Sequence, residues 1–186
     1  MRRGWAGALV LSTALLAGCT AVVTQTSHDV LFRAGVRSEF GFAAGPGRVM
    51  PVIVVGNPFP LPAADVAQQV VGAMQGNVPG TGVRFALASA QELPAGYAVV
   101  VLLDSSPGTS ANVLCGRRGG LETPGSWRGA SVLMAFCGNA DARSWAFSSS
   151  GAVDSPDDPL FRQLIARTTF ALLPARDDSR GRGSIL

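Results

Sequence analysis

The side chains that could do chemistry are few and far apart. Asp104-Ser105-Ser106 follows the apolar run "YAVVVLL" at 97–103, and His28 is the single histidine of the chain. A serine nucleophile needs a histidine base held by an acid, and these types could supply one. No G-x-S-x-G elbow presents a serine, however, and His28 lies in a polar stretch near the start, which reads as a solvated side chain. Asp104 and Glu122 could act as a carboxylate pair in glycoside hydrolysis. Nothing in their spacing fixes a separation, and acids at strand ends are mostly ordinary solvated groups. One histidine and three cysteines cannot assemble an ordinary zinc site once two of the cysteines pair. Neither G-x-x-x-x-G-K-[ST] nor G-x-G-x-x-G occurs, so no metal and no nucleotide cofactor is expected.

Two features suit binding better than catalysis. Arg117, Arg118 and Arg128 surround Trp127 in a Gly/Pro-containing loop beside Cys115. Guanidinium forks match phosphate and carboxylate groups, and an indole stacks on a sugar or an arginine. The plainer reading is a solvated hairpin loop with Trp127 tucked onto the core. Phe59 and Leu61 alternate with prolines in "NPFPLP", where a stiff extended segment could show apolar contacts to a partner. Packing against the following helix is the plainer reading there.

These groups need a scaffold, and its elements can be read from hydrophobic period. "PVIVV" at 51–55 is a β-branched buried strand. Alternate prolines then forbid helix until Ala63. From Ala63 to Gln75, Val66, Ala67, Val70, Ala73 and Met74 share one helical face, with Asp65, Gln68, Gln69 and Gln75 on the other. Gly76-Asn77 stops that helix. Val83–Ala88 alternates as a half-exposed strand, and Tyr97–Leu103 is continuous and therefore central. Ala111–Cys115 reads as a short strand, Ala130–Cys137 as a buried one, and Ser144–Ser150 as an edge strand alternating Trp145 and Phe147 with small residues. The last helix, over Leu160–Leu173, is well punctuated: Ser155-Pro156-Asp157-Asp158-Pro159 supplies cap and proline near its first turn, and Pro174 ends it. Only one helix lies between strands, which excludes a doubly wound dinucleotide fold. The expected class is α+β: a mixed, largely antiparallel sheet of about five to six strands with two helices packed on one face.

The N-terminus speaks to location. Arg2 and Arg3 precede an apolar run from Trp5 to Leu16, and Ala17-Gly18 offers small side chains before Cys19. Charge, short apolar core and small-residue exit are the parts of a secretory signal, and the run is shorter than the ~20 residues that span a bilayer. Leu16-Ala17-Gly18-Cys19 closely resembles the lipobox of bacterial lipoproteins. The resemblance covers residues 1–20 and implies cleavage before Cys19, diacylation of its thiol, and a chain anchored to a membrane without spanning it. Two or more acyl chains hold a protein durably, at ~0.8 kcal/mol per buried methylene. Thr20, where enterobacterial lipoproteins retained in the inner membrane carry Asp, leans the expectation towards the outer membrane, facing the periplasm.

Composition follows from that cut. Residues 19–186 number 168, enough for one domain with a real core. Loss of Arg2 and Arg3 leaves 13 basic residues against 12 acids, a net charge of +1, so the basic character of the precursor does not point to nucleic acid. Cys115 and Cys137 remain as an even pair in a chain bound for an oxidising compartment, and a disulfide between them is expected. The organisation expected is a signal peptide at 1–18, a lipid-anchored tether at 19–48 merging into the domain, one α+β domain at 49–174, and a disordered tail at 175–186. The domain resembles those of small uncharacterised envelope lipoproteins. That resemblance supplies no active site, and the role expected is a non-enzymatic accessory or binding subunit of an envelope transport or assembly system, with an envelope protein or anionic envelope ligand as partner. The alternative is a hydrolase acting on an envelope polymer.

Overall fold

The computed structural model describes residues 22–27, 33–90, 96–106, 108–117 and 130–173. Its elements in chain order are β1 (Val23–Ser27), α1 (Arg33–Ala43), β2 (Val49–Val55), α2 (Ala63–Met74), β3 (Arg84–Leu87), β4 (Tyr97–Leu103), α3 (Ala111–Arg117), β5 (Ala130–Gly138), β6 (Asp141–Ser150) and α4 (Pro159–Leu172). The six strands form one sheet in the order β1-β6-β5-β4-β2-β3. Pairing is parallel between β2 and its neighbours β3 and β4, and antiparallel elsewhere. The fold is α+β with a mixed sheet.

The apolar run of β4 is explained by its place. It lies between β2 and β5, and every residue after Tyr97 is buried. Alternate residues serve opposite faces. Val99, Val101 and Leu103 join a core with α1, α2 and α4, whereas Ala98, Val100 and Leu102 join a second core with α3. The expectation of two helices is therefore corrected to four among the described residues, three of them contributing to one core and α3 to the other.

Helices α2 and α4 obey their sequence signals. Val66, Val70, Val71 and Met74 of α2 are buried, as are Phe161, Leu164, Ile165, Thr168 and Leu172 of α4. Asp158 caps α4 by accepting the Leu160 N–H at 2.7 Å, with Pro159 at the position where its missing N–H costs nothing. Thr168 and Thr169 are buried polar residues in the same helix, and their hydroxyls donate to the carbonyls of Leu164 and Ile165, as buried polar groups must.

Three findings refine the sequence reading. First, ahead of residue 49, β1 pairs with β6 along the sheet margin, and α1 buries Val36, Phe40 and Ala44 at helical spacing. Phe40 makes edge-to-face contacts with Phe136 and Phe85 at centroid distances of 4.9 and 6.3 Å. Phe42, in the same helix, is exposed, while the apolar Val30, Leu31 and Phe32 lie outside the described residues. Second, β6 is not an edge strand, because β1 covers it and the Ser148 hydroxyl meets that of Thr24 at 3.0 Å. Third, Ala111–Cys115 is helical. Its buried residues are Ala111, Leu114 and Cys115, the i, i+3, i+4 set of a helix, and the Leu114 N–H bonds to the Ser110 carbonyl. The tail at 175–186 and the signal segment at 1–18 lie outside the described residues.

Candidate functional site

The best-defined constellation is built on α3. Cys115, on its buried side, is joined by a disulfide to Cys137 of β5, with Cα atoms 5.5 Å apart. Both cysteines are fully buried among Ala98, Val100, Leu114 and Ala135. A second tie comes from the Asn112 side chain, whose Oδ1 accepts the Ala142 N–H at the start of β6 at 2.9 Å. A seven-residue helix is too short to persist on its own, so these two attachments and the burial of Leu114 hold it against the sheet.

Arg117 closes α3 and is exposed. Its charge sits at the negative end of the helix dipole, the favourable end for a cation. A guanidinium there presents several N–H donors from a backbone fixed two residues away by the disulfide, a geometry suited to carboxylate or phosphate oxygens. Arg118, Trp127 and Arg128, the other members expected here, lie outside the described residues, as do His28, Cys19 and Glu122.

Asp104 stands at the carboxyl end of β4, half-buried, in left-handed backbone with φ 54°. Its N–H still bonds to the Ser131 carbonyl and extends the β4–β5 ladder by one rung. Chain direction then reverses character: Ser105 is buried, and its carbonyl accepts the Ser131 hydroxyl at 2.7 Å. The Ser105 hydroxyl itself has no hydrogen-bond partner. The Ser106 hydroxyl lies 3.2 Å from that of Thr109. Among the described residues, no three or more His, Cys, Asp or Glu side chains converge in a manner that could hold a metal ion.

Phe59 does not face outward. It is buried and meets Phe161 of α4 edge-to-face at 5.1 Å, while Asn57 forms the turn beneath it by accepting the Phe59 N–H and donating to the Leu61 carbonyl. Leu61 is exposed, as are the prolines around it. The segment plugs the core with Phe59 alone.

Sequence reasoning missed two other features. A shallow open groove of about 410 Å³ runs beside α4, lined by Thr24, Asn77, Ala166, Arg167, Phe170 and Ala171; Phe170 breaks the polar outer face of that helix and is the signal that could have marked it. At the opposite margin of the core, Glu39 of α1 accepts a hydrogen bond from the Tyr97 hydroxyl at 2.9 Å and pairs with Arg143 Nε at 3.3 Å. These three residues are far apart in sequence, so no local pattern announces them.

No protein-family model and no curated protein matches the chain. Among solved structures, it is similar to the PelC dodecamer from Paraburkholderia phytofirmans. A substituted form gives a TM-score of 0.43 at 12% identity, covering 83% of this chain and 100% of that one. The unsubstituted form gives 0.42 at 14% identity, covering 84% of this chain and 100% of that one.

Proposed function

We propose that the protein is an exported, lipid-anchored envelope protein that acts by binding, as an accessory subunit of an envelope transport or assembly system, rather than by catalysis. The observation that carries this reading is the buried Cys115–Cys137 disulfide, a bond that forms and persists in oxidising compartments. It agrees with the signal-like start and lipobox-like Leu16-Ala17-Gly18-Cys19. In this reading Cys19 carries fatty-acyl chains and becomes the first residue of the mature chain.

The position of β1 adds to the proposal. Val23 opens a strand of the sheet only four residues after Cys19, a span of at most ~13–14 Å of extended chain. A lipid anchor at Cys19 would hold the sheet margin close against the membrane, with no long tether. The outer membrane is the favoured surface, and the domain faces the periplasm.

The interaction site in this reading is the segment from Arg117 through Arg118 to Trp127 and Arg128, and its ligand is an acidic protein surface or an anionic envelope group. The disulfide and the Asn112–Ala142 bond already order the base of that segment, so less entropy is lost on binding. A hydrolase reading has one observation in its favour, the left-handed backbone of Asp104 at a strand end, since residues in sparsely populated conformations gather at functional sites.

Two variants test the proposal. Cys19→Ser in the producing cell should abolish uptake of labelled palmitate and leave unprocessed or mislocalised protein; continued labelling refutes the anchor. Replacing Arg117 and Arg118 together by Ala should leave thermal stability nearly unchanged, because exposed arginines contribute little to folding. It should also remove cross-links formed in the native envelope, with larger effects at low salt. A folded double variant that keeps every cross-link refutes the site.

A further inference from the structure

We propose that the side chain of Gln75 acts as a surrogate strand that guards the outer edge of β3, and that without it this edge pairs with β3 of a second copy of the chain. Strand β3 ends the sheet. On its inner side, the Arg84 N–H bonds to the Arg48 carbonyl and the Ala88 N–H to the Val52 carbonyl of the β2 side, both at 2.8 Å. Backbone groups alternate along a strand, so those of Phe85 point the other way, away from β2.

An edge residue with outward N–H and C=O is a template for another chain. Here both groups of Phe85 are taken. Gln75 Oε1 accepts the Phe85 N–H at 3.1 Å, and Gln75 Nε2 donates to the Phe85 carbonyl at 2.8 Å. One carboxamide thus makes the two bonds that a hydrogen-bonded residue of an antiparallel neighbour would make. Val83, two residues back on the same side, donates its N–H to Thr81 Oγ1 at 3.3 Å, and that hydroxyl is itself held by the Val78 carbonyl at 2.9 Å. The outer edge is therefore closed at consecutive outward positions by local side chains and not by a strand.

The placement of Gln75 makes the clamp specific. It is the C-cap of α2, and its own N–H bonds to the Gly72 carbonyl. Gly76 follows in left-handed backbone, φ 73°, which turns the chain towards β3. Read from sequence alone, Gln75 belongs to the solvated face of α2, where a glutamine keeps its rotamer freedom. Holding it in two bonds costs side-chain entropy, a cost that the two hydrogen bonds largely offset. The local stability gain is small, so what the clamp chiefly accomplishes is exclusion.

A second copy is the partner that fits the edge once Gln75 releases Phe85, with Val83 still held by Thr81. Antiparallel pairing of two β3 strands about a two-fold axis at Phe85 sets each Phe85 opposite the other, the geometry Gln75 imitates. Arg84 then lies opposite Ala86 of the second copy, and Val83 opposite Leu87. Arg84 and Ala86 are both exposed, and no like charges face each other directly. A closed two-fold contact of this kind needs no new surface on either copy.

The test uses the full mature chain and three variants, read by sedimentation velocity over a concentration series and by hydrogen exchange at the Phe85 amide. Gln75→Ala should exchange that amide about fivefold faster in dilute solution and should self-associate as concentration rises, relative to the unsubstituted chain. Gln75→Glu keeps the acceptor, loses the donor and leaves a charge at the edge; it should not gain association. Gln75→Ala combined with Ala86→Lys, which places a cation opposite Arg84 of the second copy, should return to the unsubstituted behaviour. The proposal fails if Gln75→Ala exchanges as the unsubstituted chain does, or exchanges faster yet never associates. It fails equally if Gln75→Glu associates as readily as Gln75→Ala, or if Ala86→Lys leaves the association intact.

Discussion

The Tyr97 hydroxyl donates to Glu39 Oε1 at 2.9 Å across 58 residues of sequence, and this bond ties α1 to the first residue of the central strand. The hydrogen bond to Glu39, then burial and the carboxylate's charge, push the tyrosine pKa above its ordinary 10.0, while Arg143 pulls it down. Tyr97 is the chain's only tyrosine, so tyrosinate absorbance reports this one group. Its titration midpoint should lie above that of a free tyrosine, and Glu39→Gln should bring it back towards 10. Because the folded value is raised, the protonated hydroxyl's contribution is complete below pH 10 and is lost as pH rises through the folded value. An unshifted midpoint in the unsubstituted protein means the bond is absent in solution.

Gly138 lies under the same cluster. A Cβ added there would stand 2.7 Å from Arg143 Nε and 2.9 Å from Tyr97 Cε1. Arginine can swing aside, but the Tyr97 ring is stacked on Phe136 at 5.7 Å and cannot. Gly138→Ala should destabilise the fold by ~1–3 kcal/mol, the usual range for overpacking. Denaturant melts of Gly138→Ala with Arg143→Ala should recover only part of that loss. Full recovery assigns the clash to the arginine alone.

The disulfide closes a loop of 22 sequence positions. On the chain-entropy model its removal by Cys115→Ser with Cys137→Ser should cost ~3 kcal/mol, seen as a lower urea midpoint. The effect should be matched by reductant on the unsubstituted protein. Alkylation of both thiols in unreduced, denatured protein taken from the producing cell refutes the pairing.

Asp158 is the one cap of α4 made by a side chain, through the Leu160 N–H. Asp158→Ala should lower stability by ~1 kcal/mol, and Asp158→Ser should restore most of it, since serine caps nearly as well. Equal loss in both variants points to a role for the carboxylate other than capping.

How much of this was written in the sequence depends on how far each residue's partners lie. Tyr97–Leu103 is a strand because seven apolar residues with β-branched members satisfy both faces of a central position. Helix α4 is legible from its cap, its proline and its buried period, all within one segment. The pairing of Cys115 with Cys137, expected from the two cysteines left once Cys19 is set aside, is present in the structure.

Tertiary structure decided what local pattern cannot hold. Whether Asp141–Ser150 is an edge strand depends on a partner at 23–27, more than a hundred residues away. The five residues from Ala111 fit strand and helix periods equally well over so short a run, and the disulfide with the Asn112–Ala142 bond selects helix. Packing of Phe59 on a helix could be read from the sequence, but that Phe161 of α4 is the ring it meets could not. Glu39, Tyr97 and Arg143, like Gln75 with Phe85, become meaningful only when the sheet places them within hydrogen-bond reach. Period and capping are set by neighbours along the chain and survive in the sequence. Pairing across the sheet is set by contacts between residues far apart along the chain, and no local pattern announces it.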